Sequence, residues 1–379
     1  MKNPYLILLV LSFFACNKNT DTKTDPVEET VSYATFSISM DTVIVESNDE
    51  IVMAAVYSPL GHQINQDLSK HLYWNVREFT LEMIDLDKFE LIKKTEFNRE
   101  GPDGVGFALD IEMIDQEHIA FHNWDQSVIS DLNGNVVERI SKQEDWMKEG
   151  LKPNENFHVR FTSKDRNLMY CSISNFERLN SNILKLDLKD QKADVIELPE
   201  FDNRENFRVA YNIGGGGGLY FPLLSISKYE DKFIFWTDAF NAIYQYDPGK
   251  DSLSYHKIIN TLFANEKSGE YKNDVGSNIE LQAEMDRMKE EIKFSELFWD
   301  EKNKVFYRFS HFGLPDIGEG PPRYKHFMSI IDEGFQVLGE KEITNIFPNP
   351  INILFVKDGL IFSHLNVDDE LGYIRIKVN

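Results

Sequence analysis

Asp110 and Glu112 stand two residues apart in the segment Leu109-Asp-Ile-Glu-Met-Ile114. Alternating apolar and acidic residues predict a strand, on which residues i and i+2 share a face about 7 Å apart. Two carboxylates on one face could ligate a divalent cation or divide the roles of acid and base. The same spacing also suits a solvated pair at a sheet edge. His118 and His122 have the i, i+4 spacing of a helical zinc pair, yet they lie in a strand pattern where four residues advance about 13 Å. No Glu follows His118, so this spacing predicts no zinc site. Asp131-Leu-Asn-Gly-Asn135 misses the calcium-loop register, because Val136 occupies the glycine position. The five glycines Gly214 to Gly218 form neither a dinucleotide fingerprint, since Leu219 takes the last glycine position, nor a phosphate loop, since no Lys-Ser or Lys-Thr follows. They read as a flexible loop. Gly-x-Ser-x-Gly is absent, which leaves serine hydrolysis without support.

A second group carries ligand-binding chemistry rather than catalysis. Residues 312–324 contain Gly313, Pro315, Gly318, Gly320, Pro321 and Pro322 and end in Arg323-Tyr324, the composition of a long loop. With Arg308 and His311 close in sequence, these residues are the first choice for a ligand-contacting cluster. Arg99 precedes Gly101-Pro-Asp-Gly-Val-Gly106, whose glycines suit a tight crossing between structural units. Alternatively, Arg99 and the loop amides face a ligand. Residues 279–294 predict a helix, with Leu281, Met285, Met288 and Ile292 forming an apolar stripe that must lie on another surface, by default as plain packing and alternatively as a lid.

Cys16 belongs to a different kind of chemistry. Lys2, the apolar run from Tyr5 to Phe14 and the box Phe13-Phe14-Ala15-Cys16 predict a signal peptide over residues 1–15, too short to span a bilayer. Cys16 would then carry a diacylglycerol thioether holding the chain at a membrane. Residues 16–30 are polar, lack aromatics and include Pro26, so they read as a flexible tether. With Cys16 lipidated, Cys171 has no partner for a disulfide, and its strand context marks it as a buried structural thiol. The net charge of −23 repels phosphate backbones, which excludes nucleic acid as a partner and electrostatic docking on anionic lipid.

The elements that must position these residues form a loose repeat. Apolar strands alternate with turns rich in Asp, Asn, Glu and Lys, in groups of four, clearest over residues 109–140 with Asn133-Gly134 as a hairpin signal. Further copies run over residues 157–198, 221–258 and 294–343, and another unit over 51–97. Three strands end the chain, and strands at 33–39 and 42–46 begin it, so an N-terminal strand completing the last unit would close a ring. Repeated four-stranded units that cannot cover their own apolar faces predict an all-β fold, a β-propeller of about six blades of four antiparallel strands over residues 31–379, with a helical insertion at about 260–293.

The lipobox, Leu72-Tyr-Trp-Asn75, residues 89–97, the loop Arg99 to Gly106 and Phe306-Tyr-Arg-Phe-Ser310 together resemble a Bacteroidetes-type lipoprotein family, domain of unknown function 4221. The resemblance implies a six-bladed propeller whose interblade loops carry a Gly-Pro-x-Gly element, and it implies no catalytic residues. The five-glycine run and the helical insertion depart from it. The expectation is therefore an extracytoplasmic, lipid-anchored binding or interaction module at the cell envelope, delivered to the outer membrane, with no cofactor. A second reading is a hydrolase of the sugar-lactone-cleaving kind, using a divalent cation held by Asp110 and Glu112 in the central channel. A third is a structural component of an envelope uptake complex with a protein partner.

Overall fold

Strand alternation is what builds this molecule, because each segment has two apolar faces and no element of its own to cover either. In the computed structural model the residues described are 33–55, 61–108, 110–175, 179–316, 318 and 321–379. The expected signal peptide, Cys16 and the expected tether lie outside them. Among the described residues the strands form six four-stranded antiparallel sheets and one three-stranded sheet. Five of the six take four consecutive strands in chain order. The sixth combines the last three strands, Ile353–Lys357, Leu360–Val367 and Glu370–Val378, with the N-terminal strand Ile38–Ile44, which pairs from Ile38 with Val378 to Ile44 with Gly372.

One edge strand of each sheet faces a common axis: His62–Ile64, Asp110–Met113, Glu155–Thr162, Leu224–Tyr229, Lys293–Asp300 and Ile353–Lys357. Neighbours touch around the ring, with Ile353–Lys357 contacting both Lys293–Asp300 and His62–Ile64. Six apolar clusters fill the six gaps between successive sheets. Leu72, Trp74 and Leu81 of the first meet Ile111, Phe121 and Val128 of the second, and Phe355, Phe362 and Tyr373 of the last return to Tyr73, Ile84 and Leu91 of the first. Each fully buried side chain of this size contributes about 1.5–3 kcal/mol. The architecture is a β-propeller closed by its N-terminal strand.

The acidic turns of the repeat have a definite job. Asp85, Asp115, Asp131, Asp165, Asp187, Asp247, Asp300 and Asp332 each open a hairpin turn, and the carboxylate of each accepts backbone amides two to four residues ahead. Such Asx turns replace a backbone contact that the reversal would otherwise leave unmade.

Three expectations are corrected. The two N-terminal strands expected at 33–39 and 42–46 are one strand, Ile38–Ile44. The helix spans Asn278–Lys289 and stops at Glu290, because buried Ile292 and Phe294 are claimed by the sheet that follows. Ser277 caps it by accepting the Glu280 amide, and Leu281 and Met288 pack on the core between the third and fourth sheets. The glycine run is a hairpin: Val209–Ile213 pairs with Gly216–Tyr220, and Gly214 and Gly215, at φ +62° and +83°, form its two-residue turn. Asp274–Val275 adds to this hairpin in parallel, making the three-stranded sheet. Cys171 is fully buried between the second and third sheets, where burial pushes its thiol pKa well up.

Candidate functional site

The innermost strands and the turns that follow them enclose a cavity of about 1170 Å³. Its wall combines aromatic rings, among them Phe161, Tyr229 and Phe298, with Glu112, Lys228 and Glu296. Glu296 accepts a hydrogen bond from the Ser227 hydroxyl at 2.6 Å, and Ser227 in turn accepts from Trp236 Nε1 at 2.9 Å. Burial raises the Glu296 carboxyl above its usual range, with Ser227 opposing the shift. Lys228 is pushed down by burial and by Lys164.

Asp110 and Glu112 both lie on the innermost strand Asp110–Met113, and both turn toward the neighbouring strand Glu155–Thr162. Asp110 is ion-paired with Arg160 at 2.9 Å. Glu112 accepts the Thr162 amide at 2.8 Å and lies 3.3 Å from His122 Nε2, whose Nδ1 meets Ser127 Oγ at 2.9 Å. The two carboxylates therefore fasten the second sheet to the third, and a cation bridging them would have to displace Arg160. His118 is held by Asp115 on the opposite end of its strand from His122. Among the described residues, no three His, Cys, Asp or Glu side chains converge as metal ligands.

The residues grouped by sequence as a ligand-contacting cluster are divided by the fold. Arg308 and His311 share the strand Val305–Gly313, and an odd separation places them on opposite faces. Arg308 faces the fourth sheet. It is 1% exposed and donates to Ser295 O at 2.9 Å, Asn241 Oδ1 at 2.5 Å and Thr237 O at 3.3 Å, with its guanidinium 5.0 Å from the Phe294 ring centroid. His311 faces the other way and stacks on its cross-strand partner His326, ring centroids 5.6 Å apart, with Tyr324 6.0 Å away. Arg323 is exposed and donates to Pro315 O at 2.9 Å, closing the base of its own loop. Arg99 is far from this group. It follows the outer strand Glu90–Glu96, so the loop begins at the rim, where the guanidinium lies 5.8 Å from the Phe79 ring centroid and borders neither cavity. The loop is a crossing between the first two sheets, pinned by Arg139, which donates to Pro102 O and Gly104 O.

Two groups are not visible as groups in the sequence. One is a second cavity, of about 220 Å³, over the fifth sheet, where Lys293, His311 and His326 meet Asp238 from the fourth. Burial, with His326, Lys293 and Lys267 nearby, lowers His311 to about 4. The other lies at the closing seam, where His62 Nδ1 and His71 Nε2 are 2.8 Å apart and His71 Nδ1 is 2.7 Å from Tyr373 Oη. Of their members the sequence singles out only His311, because the others come from strands nine or more residues away.

A solved structure shares this fold. A crystal structure of a DUF4221 family member from Bacteroides vulgatus superimposes with a TM-score of 0.62 at 12% identity, covering 90% of this chain and 98% of the other. A candidate exported protein from Bacteroides fragilis gives 0.49 at 9%, covering 90% and 95%, and a luciferin-regenerating enzyme 0.42 at 8%, covering 89% and 95%. At 12% identity the first of these speaks to fold alone. No curated protein matches the sequence. The family described as domain of unknown function DUF4221 matches residues 32–342, which is most of the chain, and the protein belongs to that family.

Proposed function

We propose that the protein is an extracytoplasmic binding module, carried to the cell envelope and held at a membrane, in the outer-membrane position, by lipid on Cys16. The observation that carries the binding reading is the commitment of the channel carboxylates to the framework: Asp110 to Arg160, Glu112 to the Thr162 amide, Glu296 to Ser227. A rigid cavity with a mixed aromatic and polar wall suits recognition. Anchoring rests on the N-terminal sequence, and no helix among the described residues is long and apolar enough to cross a membrane. The acidic surface favours an envelope protein or small ligand as partner and disfavours nucleic acid.

Two measurements test the reading. Elemental analysis of the purified full-length protein is expected to find no stoichiometric divalent cation. A tightly held cation that is lost in Asp110→Ala would overturn it in favour of a metal-dependent hydrolase. Metabolic labelling with palmitate is expected to mark the wild-type chain and not Cys16→Ser, and equal labelling of both would refute the anchor.

A further inference from the structure

Glycine is a poor strand residue, so the strand Gly216–Tyr220, with glycine at its first three positions, needs a reason. Part of the reason is local. A Cβ on Gly218 would stand 2.6 Å from the Tyr211 ring, so the ring can lie across this strand only where the side chain is missing. The rest concerns the edge. Gly216–Tyr220 is an outside strand of the three-stranded sheet and pairs with Val209–Ile213 alone, and Gly216, Gly217, Gly218 and Tyr220 are exposed. In an antiparallel pair, alternate residues bond across the ladder and those between them point away. Ala210, opposite Leu219, turns its amide away from the pair, to Asn273 O at 2.7 Å, which fixes the phase. The backbone groups of Gly217 and Leu219 therefore point out of the sheet, and among the described residues they meet no partner.

An open edge invites another strand, and folded proteins guard such edges with charge, proline or a covering element. Asp41, Lys93, Glu138, Lys192, Lys257 and Glu340 stand on the outermost strands of the six propeller sheets, one on each. Residues 209–223, by contrast, carry no charge, and their one proline, Pro222, lies beyond the strand. Apolar side chains stand beside the unguarded edge: Tyr220, Phe221 and Leu223 are 40%, 48% and 49% exposed, and Tyr220 stacks on Tyr211 with ring centroids 5.8 Å apart. An extended chain laid along this edge would bond to Gly217 and Leu219 through its backbone and rest its side chains on Tyr220 and Phe221.

We propose that this edge is a docking strand for an extended segment of a partner protein bearing lysine or arginine, which adds beside Gly216–Tyr220 as a further strand. Charge selects the partner. The net charge of −23 does not mark the spot, but it attracts a cationic segment and repels an acidic one at long range. A second copy of the chain fits poorly on two counts. It carries the same charge, and five residues of strand, about 17 Å, bury far less than the roughly 1,200 Å² of a stable interface. None of residues 209–223 lines the axial cavity, so this surface goes beyond the reading above and can fail without it.

The test is calorimetric titration of the purified full-length protein with the acetylated and amidated peptide Lys-Val-Lys-Val-Lys-Val, its Glu-Val-Glu-Val-Glu-Val twin, and the lysine peptide methylated at every backbone nitrogen. Saturable binding of the lysine peptide is expected, with the other two at least tenfold weaker. Amide hydrogen exchange over residues 214–221 should slow when the lysine peptide is present. Leu219→Pro removes the outward amide without removing a hydrogen bond of the fold, so it should weaken binding tenfold or more at an unchanged unfolding temperature. If that variant is destabilised, the methylated peptide decides, because it leaves the protein untouched. Absence of saturable binding overturns the proposal. So does binding of the methylated peptide, or binding by Leu219→Pro, as tight as the reference, since charge alone would then account for the attraction. Equal binding of the glutamate twin also overturns it, and dimerisation that protects the same amides overturns it in favour of a second copy. The binding-module reading survives each of these results, because it fails on a stoichiometric metal.

Discussion

Replacing His62 by Gln should make the protein less sensitive to acid, and the reasoning starts at the seam where the ring closes. His62 lies on the innermost strand of the first sheet, 2.8 Å from His71, and its ring centroid is 5.7 Å from that of His364 in the last sheet. His71 is fully buried and bonded to Tyr373 Oη. Burial holds His62 down to about 3, with His364 adding to the shift, and burial holds His71 well below its ordinary value. In the unfolded chain both titrate near 6.5. Well above that pH both states are neutral and the pair adds nothing to the pH dependence. As pH falls through 6.5 the unfolded chain binds protons that the native state refuses, so stability is lost downward toward the folded values. At about 1.4 kcal/mol per pH unit, His62 lowers stability by about 2 kcal/mol at pH 5, and His71 acts in the same direction. That is a sizeable part of a typical stability of about 5–15 kcal/mol. His62→Gln keeps a hydrogen-bonding side chain beside His71 and removes one titration. Urea unfolding followed by tryptophan fluorescence between pH 4 and 8 should show the variant's stability falling less steeply, by about 1.4 kcal/mol per unit between pH 5.5 and 4. Parallel curves for the two proteins would show that His62 is not held neutral by the seam and refute the reasoning.

The crossing loop should be intolerant at one glycine and mildly sensitive at another. A Cβ on Gly104 would stand 2.5 Å from the Glu100 carbonyl carbon, a backbone neighbour that cannot swing aside, so Gly104→Ala should cost about 2 kcal/mol or more. Gly101 has nothing within 4 Å and only a φ of +91° to defend, so Gly101→Ala should cost about 1 kcal/mol, and denaturant midpoints compare the two directly. Arg308→Ala should lower stability by about 3 kcal/mol or more, because Asn241 and two carbonyls lose a charged donor and Asp238 loses a counter-charge. A thermal melt of Arg308→Ala matching wild type would count against a framework role.

What the sequence disclosed follows from period and turn chemistry. The four-strand units, the closing N-terminal strand and the crossing loop were legible because alternation, acidic turns and glycine act over a few residues. Arg308 shows where that reach ends. Three residues from His311 looked like one cluster, yet strand geometry turns an odd separation into opposite faces, and the two side chains serve different intersheet boundaries. The glycine run misled in another way. Five glycines suggested entropy without structure, while the neighbouring Val209–Ile213 segment offered a pairing edge that local composition does not reveal. Lys293, His311 and His326 meet across three strands of one sheet, and His62 and His71 across two strands of another, so strand register, which composition does not reveal, brings them together, and only Asp238, Tyr373 and His364 arrive from a neighbouring sheet.

Charge, the strongest global signal in the chain, changes meaning once its sources are placed. Eight aspartates act as hairpin-turn acceptors, so a substantial part of the net charge of −23 belongs to turn formation repeated around the ring. Acidity spread in that manner keeps polyanions away at long range and marks no binding face. The carboxylates that face the axis are a separate population: Asp110 is paired with Arg160, Glu112 holds the Thr162 amide and Glu296 accepts from the Ser227 hydroxyl. Framework demands account for these as well, which is why the binding reading rests on the rigid mixed wall of the axial channel and not on its charge.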